Sequence, residues 1–428
     1  MSKRNSAETE KAILVGVAVN APEKAQVEES LEELASLARA AGAVVLDRLF
    51  QVRPRLNPKY LVGEGKVEEL VRRKGDLGAD LVIFDRGLRP VQQRSLEDRL
   101  KVKVIDRTQL ILDIFAQRAR SNEGKLQVEL AQLSYRLPRL VGKGKALSQL
   151  GAGIGTRGPG ETKLEVDRRR ITDRIAKIKK DILKIQDRRS RQRQSRRKSP
   201  IPIVSLVGYT NAGKSTLFNR LSQERALVSS RLFATLDPVL RRVRYPDGPS
   251  FFLSDTVGFI KKLPVELVSA FQATLEEIRE ADVILHVIDA ASPRSESQEE
   301  SVAAVLEEIG VADIPILRVF NKIDLLPDRS ERLALNAASG PRSVSVSART
   351  GEGSADLKAK LRALLFGHLK IFYLRIPKTE AVRAESLAKW TLVLARQDRG
   401  DAYELKVMTD PRAILEYMPY LIREEQTW

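Results

Sequence analysis

The sequence predicts an α/β protein: a mostly parallel sheet with helices on both faces, preceded by a small α/β domain with a basic helical hairpin and followed by a small α+β module. Three observations lead there. Short apolar runs rich in Val, Ile and Leu alternate with segments whose apolar residues recur at helical spacing, the pattern of βαβ units. Leucines and isoleucines step by four and three through one middle segment, as in a paired helical seam. Near Gly208 a glycine-bearing turn joins an apolar run to a helical pattern, as at the βα junctions of a wound sheet.

Length and composition set the limits. A chain of 428 residues has room for about three domains. It contains no cysteine, which excludes disulfide frameworks and thiolate metal sites. The two histidines, His286 and His368, exclude a histidine-rich metal centre, and His286 sits in the apolar run Val283–Ala290 as a core residue. No stretch approaches the ~20 apolar residues of a membrane span. Lys11–Ala21 superficially resembles a short signal peptide, but Glu8 and Glu10 precede it and regular α/β pattern follows. It reads as a buried first strand, and the protein is expected to be cytoplasmic.

Residues 1–110 form the first predicted subdomain, with strands at Ala12–Val19, Ala43–Phe50, Leu81–Asp85 and Val102–Asp106 and helical spacing between them, as in Glu28–Ala41. Residues 111–199 differ in kind. Leu126, Leu130, Leu133, Leu137 and Leu140 form one stripe. Leu164, Ile171, Ile175, Ile178, Ile182 and Ile185 form a second, with Arg168 at the one missing seam position. This pattern predicts an antiparallel hairpin of helices, its first arm kinked or ended early by Pro138.

Between the arms runs Val141–Thr162, with seven glycines plus Lys143, Lys145 and Arg157. Such a loop is either simply flexible or shaped by close approach to a partner. Gly153, Gly155 and Gly158 spell a dinucleotide fingerprint, but no strand precedes them and Pro159-Gly160 intervene before any helix, so that reading is rejected.

Charge is concentrated in the same segment. Residues 111–199 hold 24 basic and 9 acidic residues, a net +15, whereas residues 201–367 hold 20 and 21, a net −1. A solvated helical surface could also be basic, but a field this concentrated favours a polyanionic partner. Arg188–Lys198 then leads into Ser199-Pro200 as a charged linker.

From residue 200 to 367 a second βαβ regime runs, with strands expected at Ile201–Val207, Arg241–Tyr245, Phe251–Asp255, Val283–Ala290, Ile314–Asn321 and Ser343–Ser347. Gly208, Tyr209, Thr210, Asn211, Ala212, Gly213, Lys214, Ser215 and Thr216 fit GxxxxGK[ST] between strand and helix. Backbone N–H groups of such a loop wrap phosphates, the lysine reaches the β/γ oxygens and the serine ligates Mg²⁺. Asp255, Thr256, Val257 and Gly258 end another strand, where the carboxylate can hold Mg²⁺ through water. Gly258 can bring a backbone N–H to the γ-phosphate.

Asn321, Lys322, Ile323 and Asp324 follow a third strand. The Asp324 carboxylate can accept from guanine N1–H and N2–H₂, donors that adenine lacks. Ser347, Ala348 and Arg349 are expected to give the base a backbone contact. Phe233, Ala234, Thr235, Leu236 and Asp237 lie between the first two motifs, and Thr235 is the candidate switch threonine that completes the Mg²⁺ shell. The α/β class is thereby narrowed to a P-loop G domain for GTP and GDP, with Lys214, Gly258 and Thr235 as catalytic candidates. Phe259 stands where many GTPases carry a water-orienting glutamine, so slow hydrolysis without a partner is expected. Asn211 is the candidate ligand of a monovalent ion such as K⁺. Residues 368–428 complete the chain, with a strand at Ile371–Ile376, a helix, a hairpin turning at Gln397–Asp401 and a last helical stretch near Pro411–Tyr417.

Over nearly its full length the chain resembles the HflX family of the Obg–HflX group. The resemblance rests on GYTNAGKST (Gly208–Thr216), FATLDP (Phe233–Pro238) and DTVGF (Asp255–Phe259). Outside the G domain it rests on IDRTQLILDIFAQRA (Ile105–Ala119), EGKLQVELAQLSY (Glu123–Tyr135) and GIGTRGPGETKLEVDRR (Gly153–Arg169). It implies binding to the large ribosomal subunit, contact of the N-terminal half with ribosomal RNA, stimulation of hydrolysis by ribosomes, and a role in separating or rescuing stalled ribosomes under stress. Lys143, Lys145, Arg157, Arg168, Arg169 and Arg170 are the candidate RNA contacts, and a monomer partly ribosome-associated is expected. The alternative is an assembly or RNA-binding factor in which GTP turnover is incidental.

Overall fold

The computed structural model describes residues 9–140, 163–197, 201–222, 239–246, 249–260, 277–311, 313–326, 340–412 and 414–426. These fall into two compact units, one up to Leu183 and one from Lys184 onward.

The first unit is built on strands β1 (Lys11–Ala18), β2 (Val44–Val52), β3 (Leu81–Phe84) and β4 (Lys103–Asp106). They pair in the order β2-β1-β3-β4, every pair parallel. Helices α1 (Glu23–Ala41), α2 (Glu64–Leu77) and α3 (Pro90–Leu100) make the crossovers, and α4 (Arg107–Arg118) follows β4. The strands are fully apolar where both faces are covered; Leu81–Phe84 is buried throughout. Gly42 ends α1 in the left-handed conformation, φ 100°, and the Asp106 carboxylate starts α4 by accepting from the Gln109 N–H. Among the carboxyl ends of these strands lies Arg107, only 3% exposed. It is paired with Asp85 at 3.0 Å and with Glu33, and Ser30 Oγ donates to Asp85.

Helices α5 (Asn122–Leu140) and α6 (Lys163–Arg197) are the expected arms. Arg174 grips Glu129 across them with two bonds of 2.7 Å. The isoleucine stripe is the covered face of α6, with Ile178 fully buried. The leucine stripe of α5 is only half-buried; Val128, Ala131 and Tyr135 lie deepest. The difference has a physical reason: α5 packs on α4 as well as facing α6, so its most enclosed face is not the heptad seam. Pro138 sits inside the last turn of α5, which continues to Leu140. Near a C-terminus few turns remain for a proline to disrupt.

The second unit holds a six-stranded sheet, order β10-β9-β8-β5-β7-β6. Its strands are β5 (Ile203–Gly208), β6 (Val239–Arg244), β7 (Ser250–Asp255), β8 (Val283–Asp289), β9 (Ile316–Asn321) and β10 (Ser343–Ser345). All pairs are parallel except β6 with β7. Helices α7 (Lys214–Ser222), α8 (Ser295–Glu308) and α9 (Ser354–Phe366) belong to it. His286 lies inside the sheet, in register with Val207 and Arg318. Burial, with the Arg318 and Lys214 charges adding to it, pushes the imidazole down to about 4. It is the neutral core histidine that the apolar run suggested.

The C-terminal strands β11 (Lys370–Pro377), β12 (Leu392–Asp398), β13 (Ala402–Thr409) and β14 (Leu421–Gln426) form an antiparallel sheet, order β12-β13-β11-β14, with α10 (Ala381–Trp390). Phe372, Leu374, Leu387, Leu405 and Val407 share one small core. Ile371, Leu392 and Met408 instead join the core of the six-stranded sheet beside Val344, Leu365 and Phe366. The last helical stretch is a 3₁₀ segment, Leu415–Tyr420, and β14 was not expected from the sequence.

Candidate nucleotide site

The site is assembled at the carboxyl edge of the six-stranded sheet, where wound α/β folds bind ligands. Strand β5 runs out at Gly208. A Cβ at Gly208 would lie 2.2 Å from the Val287 carbonyl oxygen, so only glycine lets the loop leave the sheet here. The turn from Tyr209 to Gly213 then delivers the chain to the start of α7, whose free N–H groups and dipole favour phosphate. Gly213 has φ +95°, and a Cβ there would meet Asn321 Nδ2 at 2.1 Å.

Lys214 is buried and folds back on the loop, donating to the carbonyls of Gly208 and Tyr209 at 2.9 Å each. Burial pushes its ammonium down to about 8, against the pull of the Asp255 carboxylate. Ser215 Oγ donates to Asp255 Oδ2 at 2.8 Å. The loop and the Asp255 strand end are stitched by backbone bonds, Thr210 N–H to Phe259 O at 2.7 Å and Phe259 N–H to Gly208 O at 3.1 Å. Thr256 Oγ1 donates to Leu206 O. A Cβ on Gly258 would come within 2.9 Å of Thr210 Cα and 3.0 Å of Lys214 Nζ, which explains the glycine. Phe259 is buried, 5% exposed. Its ring is a packing element rather than a group aimed at solvent.

At the end of β9 Asn321 acts as a brace. Its Nδ2 donates to Ala212 O at 2.8 Å, and its Oδ1 accepts from Ala348 N–H at 2.9 Å. The phosphate loop and the Ser347-Ala348-Arg349 loop are thereby joined through one amide. Asp324 Oδ1 accepts from Ser347 Oγ at 2.7 Å, and Arg349 Nε stands 3.5 Å from Asp324 Oδ2. Ser347 Oγ also accepts from Thr350 N–H. Lys322, at φ +68°, holds Asp289 at 2.6 Å.

The four motif segments read from the sequence thus converge. Two contributors escaped that reading: Asp289, which lies opposite Asn321 in the sheet register, and Arg220, whose partners are 128 and 129 residues away. The β8–β9 pairing could have suggested the first; no local signal marks the second. Phe233, Ala234, Thr235, Leu236 and Asp237 lie outside the described residues, as do Lys143, Lys145 and Arg157. Arg168, Arg169 and Arg170 are exposed on α6, Arg170 standing 3.9 Å from Asp167. Among the described residues no helix is long and apolar enough to cross a membrane, and no group of three or more His, Asp or Glu could hold a metal.

A parallel sheet carrying these motifs at its carboxyl edge defines a P-loop GTPase. Residues 28–116 match the family described as GTP-binding GTPase N-terminal, and residues 118–196 match GTP-binding GTPase Middle Region. Residues 203–322 match the family described as 50S ribosome-binding GTPase. The GTPase HflX of Caldanaerobacter subterraneus subsp. tengcongensis is 54% identical over 74% of this chain and 73% of its own length. That of Escherichia coli is 49% identical over 82% and 83%, and that of Chlamydia pneumoniae 35% over 98% and 89%. Among solved structures, a GTP-binding protein of Sulfolobus solfataricus in complex with GDP is 27% identical, covering 83% of this chain and 99% of its own, with a TM-score of 0.45. The chain belongs to the HflX family: it is an enzyme that binds and hydrolyses GTP.

Proposed function

We propose that this GTPase is a switch that docks on the large ribosomal subunit through its basic middle segment and separates or rescues stalled ribosomes. The observation that carries this reading is the segregation of charge, net +15 over residues 111–199 against −1 over residues 201–367. Arg168, Arg169 and Arg170 are exposed on α6, and a cleft of about 440 Å³ lined by α3, α4, α5 and Ile171 of α6 carries Arg94, Arg136 and Arg139 on its walls beside Glu97 and Asp113. Lys143, Lys145 and Arg157 would add to that surface. Binding that neutralises phosphates releases counterions, so affinity falls with salt by roughly 0.7–0.9 in log–log slope per phosphate.

In the nucleotide site Lys214 exchanges two loop carbonyls for the β/γ oxygens, a stronger charge-assisted pairing. The adjacent Ser215 hydroxyl and Asp255 carboxylate are the hard oxygen donors that suit Mg²⁺. When bound, that ion offsets the negative charge of the phosphates. Gly258 offers its N–H at the γ-phosphate, Thr235 would complete the Mg²⁺ shell, and Asp324 reads guanine. Asn211, exposed and at φ +66°, is the candidate K⁺ contact. With Phe259 buried, that position cannot orient the attacking water, and hydrolysis stays slow until a partner or a second cation supplies the order.

The test is GTP turnover with and without purified large subunits, read beside ribosome splitting on sucrose gradients. Stimulated turnover with splitting is the expected result. Tight subunit binding with unchanged turnover and intact ribosomes would instead identify an assembly or RNA-binding factor.

A further inference from the structure

We infer that Arg220 is a positioning residue for guanine recognition: from the phosphate-binding helix it clamps the carbonyls of Ala348 and Arg349 and so fixes the loop that orients Asp324. Arg220 lies six residues beyond Lys214 on α7, nearly two helical turns along one rigid element. Its Nε donates to Ala348 O at 3.2 Å and its Nη2 to Arg349 O at 2.5 Å. The planar fork of a guanidinium suits two neighbouring carbonyls, where an ammonium offers only a point charge.

The preceding peptide group of the same residue is held by Asn321, whose Oδ1 accepts from Ala348 N–H at 2.9 Å. Ala348 is therefore gripped through its N–H by the strand β9 end and through its C=O by α7. Gly351 completes the seat. It has φ +98°, and a Cβ there would stand 3.4 Å from Arg220 Nη1, so the turn presents bare backbone to the guanidinium. Downstream of this clamp, Ser347 Oγ donates to Asp324 Oδ1 at 2.7 Å.

Released from Arg220, the carbonyls of Ala348 and Arg349 lose their guanidinium donor; the loop keeps its bonds to Asn321 and Asp324, and the aim of Ser347 at Asp324 is loosened. The phosphate contacts of Lys214 and Ser215 are untouched. The loss therefore falls on the base end alone, the same for GDP and GTP. The inference rests on the reading of Asp324 as the guanine acceptor.

The experiment compares Arg220→Ala, Arg220→Lys and Asp324→Asn in the full chain. Dissociation of a fluorescent GDP, affinities for GTP and XTP, and turnover at saturating GTP are measured. Arg220→Ala is expected to speed GDP release three- to tenfold and to weaken GTP by the same factor, with saturated turnover within twofold of wild type. Arg220→Lys recovers part of the loss. A merely structural arginine would lower the melting temperature of the nucleotide-free protein while leaving release unchanged, and that outcome overturns the inference. If Asp324→Asn shifts preference to XTP while Arg220→Ala changes nothing, only the role of Arg220 falls. If Asp324→Asn keeps its guanine preference, both fall.

Discussion

The four-stranded sheet of the first unit and the six-stranded sheet of the second are both made of parallel βα units, yet their carboxyl edges use charge in opposite ways. In the first, Arg107 is enclosed with Asp85 and Glu33 at 3% exposure. Asp106 caps α4 and also accepts from the Leu88 N–H. Every one of those bonds is made by side chains belonging to the fold itself. In the second, Lys214 holds loop carbonyls, Ser215 holds Asp255, and Ser347 holds Asp324. On the proposed reading these are interim partners that a nucleotide replaces. Parallel topology provides an edge in both cases. At the second edge Gly208, Gly213 and Gly258 stand where a Cβ would collide with Val287, Asn321 and Thr210, so that the motif loops pack closely on one another and on the strand ends.

Substitutions can break this comparison. The largest effect is expected for Lys214→Ala, which removes the loop's side-chain cation and should weaken GTP by a thousandfold or more, a loss of about 4 kcal/mol. Titration with a fluorescent GTP analogue decides it; wild-type affinity would place the phosphates elsewhere. Arg107→Ala leaves two carboxylates without their cation and should cost about 3–5 kcal/mol of stability. GTP affinity at a temperature where the variant is folded should not move. Urea unfolding beside nucleotide titration separates the two, and a nucleotide defect without destabilisation would mean that the first edge is also a site.

Two pH effects sharpen the contrast. His286 falls from its usual 6.5 to about 4 in the folded protein, so its neutral form contributes stability above pH 6.5 that is lost as pH falls towards 4. The contribution is about 3 kcal/mol, and His286→Leu should flatten the acid limb of a melting-temperature profile. An unchanged acid limb would assign that loss to other groups. Lys214 titrates near 8 without nucleotide, and phosphate favours its charged form. Affinity for GDP should therefore be full below pH 8 and decline above it, by at most about tenfold per pH unit. A flat wild-type profile between pH 7 and 9.5 would contradict the buried ammonium; Lys214→Arg, charged throughout, is the control.

The elements most legible in the sequence were those whose physics is local. Apart from β2 and β6, the strands of these two sheets are largely buried apolar runs bounded by turns, and each observed strand overlaps an expected one. The motif residues from Gly208 to Ser215, from Asp255 to Gly258 and from Asn321 to Asp324 converge because each motif ends a neighbouring strand. What escaped was set by tertiary partners. Strand β14 reads LIREEQ, and this charged strand, which among the described residues pairs with β11 alone, carries little apolar signal. The leucine seam of α5 is only half-buried because the helix serves two neighbours, which periodicity cannot show. Arg220 looked like any surface arginine until the fold brought Ala348 beside it.

The core shared by the six-stranded sheet and the C-terminal strands has a bearing on how the chain is made. Synthesis runs from the N-terminus, and domains fold as they emerge. All six strands of the GTPase sheet exist once Ser345 has been added, but Ile371, Leu392 and Met408, which cover Val344, Leu365 and Phe366, arrive later. A nascent chain thus possesses every nucleotide motif before it possesses the apolar cover that steadies them. A chain stopped at Gly367 would lack Ile371, Leu392 and Met408 and so leave part of that core uncovered.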